Sequence, residues 1–207
     1  MASFARTERS ALADALLAAG PNAPTLCDGW VTRDLAAHLV VRERRPDAAA
    51  GIMIKALAGH LRKVQDGVAA GDYPQLVGKV RTPAALVRPG FMEEAVNLVE
   101  FFIHHEDVRR AAPGWTPRAL DGGYEAALGG RVRSSARLSA RRFPARIAVR
   151  APGVEPFTVG AGGEELTVAG PPGELLLFFT GRQSAADVEI TGPDALAERL
   201  RGARLGI

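Results

Sequence analysis

The chain has 207 residues, 47% of them hydrophobic and 24% charged, a composition that excludes disordered, fibrous and low-complexity classes. A net charge of +3 makes no demand for a nucleic-acid partner, and one cysteine, Cys27, excludes an internal disulfide framework and suits a reducing cytoplasm. No stretch approaches the roughly 20 apolar residues that span a bilayer, and Met1-Ala2-Ser3-Phe4-Ala5-Arg6 lacks the basic-then-apolar build of a signal peptide. A cytoplasmic protein of one domain or two small ones is expected, with no membrane or nucleic-acid partner.

Residues 3–19 read as a helix ended by Gly20-Pro21, and Asn22 to Trp30 as a loop. A second helix is predicted from Thr32, with Asp34 in its first turn to suit the free N–H groups and the dipole. Pro46 kinks or restarts it. Residues 47–68 continue helically, because Leu57, Leu61, Val64 and Val68 recur at spacings of four and three. Gly71 to Pro89 is interrupted by Gly and Pro and reads as looser chain with room for a short helix. The next helix is predicted from Met92 to Ala111, with Arg109 and Arg110 in its last turn and Pro113-Gly114 beyond it. A fourth bundle helix is predicted over 121–141.

Beyond Phe143-Pro144 the period changes. Arg146 to Arg150 alternates, Phe157 to Val159 and Glu165 to Val168 read as short strands, Glu174 to Gly181 as a short helix, Asp187 to Thr191 as a strand and Pro193 to Arg201 as a last helix. The expected fold class is α+β: a four-helix bundle over 1–142 and a small α+β domain over 143–207. The second piece is small enough to need packing against the first.

Three residues stand out from their surroundings. His38 is the one polar side chain in Leu35-Ala36-Ala37-His38-Leu39-Val40-Val41, and Glu100 and His104 interrupt the apolar run that begins at Val96, with Asn97 beside them. Such groups are costly among hydrocarbon unless something pairs with them. Glu100 and His104 share a helix face at i, i+4, and Asn97 and Asp107 extend that stripe. A neighbouring helix has to bring in His38. Two histidines and a carboxylate match a catalytic zinc site with one position left open. The ordinary reading of each histidine alone is a satisfied core residue; the three together favour a divalent metal. His105 points about a quarter-turn away and stands in only if the register differs, and His60 reads as surface. Cys27 reads as a small buried side chain before the turn at Asp28-Gly29, or as a fourth, thiolate ligand. Arg131, Arg133, Arg137, Arg141 and Arg142 lack interleaved aromatics and read as a solvated face.

Gly29-Trp30-Val31-Thr32-Arg33-Asp34-Leu35-Ala36-Ala37-His38-Leu39 resembles the first metal motif of the DinB-like superfamily, in its mycothiol-dependent maleylpyruvate isomerase branch. Glu100-Phe101-Phe102-Ile103-His104-His105-Glu106-Asp107 resembles the second, E-x3-H-x2-D. Gly173-Glu174-Leu175-Leu176-Leu177 leading to Thr180-Gly181-Arg182 is similar to that branch's C-terminal domain. The resemblance spans nearly the whole chain, and Arg42-Glu43-Arg44-Arg45-Pro46-Asp47 brings it nearest to a group described only as metal-binding proteins of actinobacteria. One departure is Val31, where relatives carry Thr or Ser as the helix cap; Thr32 is expected to take over.

The resemblance implies that His38, Glu100 and His104 ligate zinc, and that an arginine of the C-terminal domain, for which Arg182 is the candidate, contributes to the site. It also implies mycothiol as thiol cosubstrate. A thiol near pKa 8.5 is a poor nucleophile at neutral pH until a metal deprotonates it. In an isomerase the thiolate adds to a cis double bond, permits rotation and leaves; in a transferase it stays attached to a small electrophilic substrate. Arg182 would clamp a substrate carboxylate, Asp107 would hold the free nitrogen of a ligand histidine, and Arg42, one turn after His38, would bind an anionic thiol. Each also has a plain reading as a surface or helix-end charge. The alternative to an enzyme is a non-catalytic metal- or ligand-binding, regulatory protein that keeps the site. Nickel, iron and manganese also suit these ligands, and bundles of this kind often pair, so a homodimer is compatible with the pattern.

Overall fold

In the computed structural model, which describes residues 3–85 and 90–206, the chain opens with α1 (Phe4–Ala19). Ser3 caps it, its hydroxyl accepting the Arg6 N–H at 3.2 Å, and Gly20 ends it at φ 77°. Helix α2 (Thr32–Arg44) follows the loop. Its first residue outside is Val31, which has no side-chain acceptor, and Thr32 does not take over the cap as expected. The Thr32 hydroxyl instead donates to the Gly20 carbonyl, while the Asp34 carboxylate reaches back to the Val31 N–H at 3.0 Å.

The segment expected to be helical from 47 to 68 is divided. Pro46 starts the short α3 (Pro46–Ala49), two 3-10 turns follow at Ala50–Ile52 and Lys55–Leu57, and only then does α4 run from Ala58 to Ala69. Gly51 explains the break: a Cβ there would lie 2.7 Å from both the Leu57 carbonyl oxygen and the Leu61 Cβ. The chain folds back on itself through that gap. Helix α5 (Tyr73–Arg81) is capped by Asp72, and α6 (Gly90–Arg109) carries the second motif. Leu86 to Pro89, the end of the segment predicted to be loose, lie outside the described residues.

The chain divides into two compact units, Met1–Trp115 and Thr116–Ile207. In the first, α1 packs against α6 and α5, and α2 against α4 and α5. Leu12, Leu16, Leu35, Leu39, Leu76 and Phe101 belong to one buried cluster. A buried ionic chain accompanies it. The Arg9 guanidinium pairs with Glu43, donates to Glu93 at 2.5 Å and to the Val80 carbonyl at 2.7 Å, and Asn97 donates to Glu43 at 3.0 Å. Four helices, α1, α2, α5 and α6, are thereby tied through buried side chains.

The division at 115/116 differs from the expected boundary at 142/143. Helix α7 (Gly122–Ala140), predicted as a bundle helix, belongs to the second unit, where it packs on β2 and α8. Its buried stripe is Tyr124, Leu128, Val132, Ala136 and Ala140. Gly129 sets the closeness of approach, since a Cβ there would lie 2.9 Å from the Val154 side chain. The sheet order is β2-β1-β3-β4, from β1 (Arg146–Ala151), β2 (Val154–Gly160), β3 (Glu165–Ala169) and β4 (Glu189–Thr191). Strands β1 and β3 are parallel and the outer pairs antiparallel. Ile147, Val149, Phe157, Val159, Leu166 and Val168 are buried at alternate positions, as the alternation in sequence requires. Helix α8 (Pro172–Phe179) is apolar on all sides apart from Glu174 and is buried throughout, and α9 (Asp194–Arg201) closes the unit. The fold is α+β and mostly helical. Among the described residues, no helix is long and apolar enough to cross a membrane.

Candidate metal centre

Helix α6 presents Glu100 and His104 one turn apart, as their spacing dictates, and α2 brings His38 to the same point. His38 Nε2 lies 3.4 Å and His104 Nε2 3.3 Å from the same oxygen, Glu100 Oε1. All three ligating atoms fall within 4.8 Å of one another. In a tetrahedral zinc site with bonds of about 2.0–2.1 Å, neighbouring ligand atoms stand roughly 3.3 Å apart. The donor set therefore fits a divalent ion without rearrangement of either helix. The side chains keep a wet edge, His38 13% exposed, Glu100 25% and His104 11%, so an ion and a further ligand have a way in.

The charges around the site follow from this packing. Burial, together with His104 and Arg42 nearby, outweighs the pull of Glu100 and lowers the His38 pKa from its ordinary value. Burial would also lower His104, but hydrogen bonds to Asp107, Cys27 and Glu100 prevail and raise it well above the usual imidazole range. Burial opposes ionisation of Glu100, yet His104, His38 and Arg42 hold it well below the ordinary carboxylate value. This packing favours the charged form of His104, between two carboxylates, and the neutral form of His38.

The surrounding residues orient the three. Asp107 Oδ2 accepts from His104 Nδ1 at 2.8 Å and is fully buried. Gln65, from α4, meets His38 Nδ1 at 3.3 Å, and the Trp30 ring stands 5.1 Å from the His38 ring. Sequence reasoning missed both. Gln65 lay within a stripe read as apolar, and Trp30 stood in a loop with no periodicity to place it. Arg42 is beside the site, but its groups are engaged: Nε lies 3.1 Å from Glu100 Oε1, Nη1 donates to Asn97 at 2.7 Å and Nη2 to the Val96 carbonyl at 3.1 Å. Asn97 accordingly serves Arg42 and Glu43 rather than joining the three ligands.

The remaining candidates fall elsewhere. His105 faces the other way and pairs with Glu8 at 2.7 Å, both buried. His60 is an exposed residue facing Asp47 at 3.4 Å. Cys27 meets His104 at the Nδ1 edge, 3.9 Å away, with its thiol donating to Asp107 at 3.1 Å. A loop thiol at that edge is on the far side of the ring from Glu100 and His38. Arg182 belongs to the second unit, half-buried, with Nη1 donating to the Thr180 carbonyl at 2.6 Å. No protein-family model, curated protein or solved structure matches the chain.

Proposed function

We propose that this is a metal-dependent, mycothiol-using transferase or isomerase of the DinB-like kind. In this reading the four longest helices of the first unit, α1, α2, α4 and α6, form the bundle, and His38, Glu100 and His104 hold a divalent ion, zinc by preference. The observation that carries it is the convergence of two imidazole nitrogens on one carboxylate oxygen at 3.3–3.4 Å, at a partly wet edge. Bound there, zinc would supply Lewis acidity that keeps a thiol ionised at neutral pH.

The chain's own residues do the rest. Asp107 keeps a proton on His104 Nδ1, which directs the Nε2 lone pair toward Glu100. Gln65 performs the same service for His38, since turning its amide makes the oxygen accept from Nδ1–H and frees Nε2. Arg42 offsets the Glu100 charge, and the guanidinium N–H groups not used on Glu100, Asn97 and Val96 would donate to an anionic thiol. Trp30 walls one side and limits water.

Calorimetric titration of the zinc-loaded chain with mycothiol tests the reading, with His104→Ala as control. Binding that requires the metal supports it. Failure of a fully loaded site to bind the thiol would favour a non-catalytic metal-binding protein. A closed, structural version of that alternative needs Cys27 as fourth ligand, and its position at the Nδ1 edge of His104 weighs against it.

A further inference from the structure

An imidazole has two edges, and His104 has metal-ligating groups at both. Its Nε2 edge faces Glu100 and His38. Its Nδ1 edge faces Asp107 Oδ2 at 2.8 Å and Cys27 Sγ at 3.9 Å, and Sγ is 3.1 Å from Oδ2. These three atoms too lie within 4.8 Å of one another. With metal–sulfur bonds near 2.3 Å and metal–nitrogen or –oxygen bonds near 2.0–2.2 Å, a tetrahedral site needs separations of roughly 3.3–3.7 Å. Each observed distance is within about half an ångström of that, a shift that small rotations of two of the three side chains supply.

The thiol is fixed in place by the loop's own hydrogen bonds. Leu26 N–H donates to the Asp107 carbonyl at 3.1 Å, Cys27 N–H to the Thr25 hydroxyl at 3.2 Å, and that hydroxyl to the Trp30 carbonyl at 2.8 Å. Cys27 is half-buried, so an ion can reach it from solvent.

We propose that Cys27, Asp107 and His104 Nδ1 form a second cation site, selective for thiophilic ions, that competes with His38 and Glu100 for the same imidazole. A neutral ring offers one lone pair at a time, so an ion on either nitrogen leaves the proton on the other. The first set, with two nitrogens and an oxygen, suits zinc; the second, with a thiolate, suits softer ions such as cadmium. Filling the second site from the doubly protonated ring breaks the Cys27 S–H and His104 Nδ1–H bonds. Two protons pass to solvent, bonds to sulfur, nitrogen and the Asp107 oxygen form, and Nε2–H remains donated to Glu100. The proposal needs no thiol cosubstrate and no catalysis, so it stands or falls apart from the reading above.

Cadmium titration of the full chain, followed by the ultraviolet sulfur-to-cadmium charge-transfer band, tests it. The band should saturate near one equivalent in wild type and in His38→Ala, vanish in Cys27→Ser, and need at least about tenfold more cadmium in His104→Ala. Preloaded zinc should raise the cadmium required, and Cys27→Ser should retain its zinc. Absence of the band in wild type, or an unchanged titration in His104→Ala, overturns the site. So does loss of the band in a His38→Ala protein with a wild-type circular-dichroism spectrum, or loss of zinc from Cys27→Ser, because either result would place Cys27 in the first site.

Discussion

Glu100 Oε1 is approached by three nitrogens, from His38, His104 and Arg42, at 3.4, 3.3 and 3.1 Å. An oxygen so surrounded sits where positive charge is expected, and in the absence of an ion His104 and Arg42 provide it. Trp30 reports on that point directly, because its ring lies 5.1 Å from the His38 ring. Cobalt added to the metal-free chain is expected to quench tryptophan emission, and Trp30→Phe to remove most of the quench while leaving the second tryptophan, Trp115, unaffected. Quenching undiminished in Trp30→Phe would place the ion elsewhere. The convergence of His38, Glu100 and His104 was legible in the sequence because each breaks an apolar run, and because a spacing of four fixes the relation of two of them. The place of Arg42 beside them was legible too, one turn after His38 on the same face, but the roles of Trp30 and Gln65 were not. Their side chains reach the site across loops or between helices, and no local pattern encodes that distance.

At the scale of elements, the buried chain from Arg9 through Glu43 and Asn97 to Arg42 joins α1, α2 and α6 behind the site. Replacing Arg9 removes the buried cation from two carboxylates, leaving Glu43 with the Asn97 amide and the Ala84 N–H, and Glu93 with the exposed Arg6. Arg9→Met is expected to lower stability by about 3–5 kcal/mol in urea denaturation; a loss below about 1 kcal/mol would mean the pair contributes little beyond its packing. In the second unit, burial raises the pKa of Glu125 above its ordinary value, with the nearby Glu174 adding to the effect and the Gly173 N–H opposing it. A carboxyl group raised in the folded state stabilises the fold while protonated and loses that contribution as pH rises through its folded value. Glu125→Gln keeps an acceptor for Gly173 and is expected to be more stable than wild type near pH 7, by less than about 1 kcal/mol because the group is partly solvated. Near pH 3 the difference should vanish, since the glutamate is then neutral in the folded and the unfolded chain alike. Urea midpoints at the two values decide it, and equal midpoints near pH 7 would contradict the sign. Among the elements, periodicity located the helices of the first motif and the strands of the sheet. It misjudged 47–68, where the repeat of Leu57, Leu61, Val64 and Val68 describes α4 and its cap but not the turns at 50–57 that Gly51 permits. It also assigned α7 to the bundle, since an amphipathic stripe says that a helix is buried but not against what.

At the scale of the molecule, the residues of both candidate ion sites lie in the unit Met1–Trp115, and Arg182 lies in Thr116–Ile207. Both candidate ion sites therefore draw on the helical unit alone. The α+β class was legible from the change of period after Phe143-Pro144. The boundary was not, because the second unit begins with a helix whose pattern matches those before it. Metal analysis of the dialysed, zinc-loaded chain tests the central claim most directly. About one zinc per chain is expected in wild type, His60→Ala and His105→Ala, and little in His38→Ala, Glu100→Ala and His104→Ala. Full retention of zinc by a natively folded Glu100→Ala protein that also carries Cys27→Ser, which removes the thiol of the second site, would show that these three residues are not the ligands.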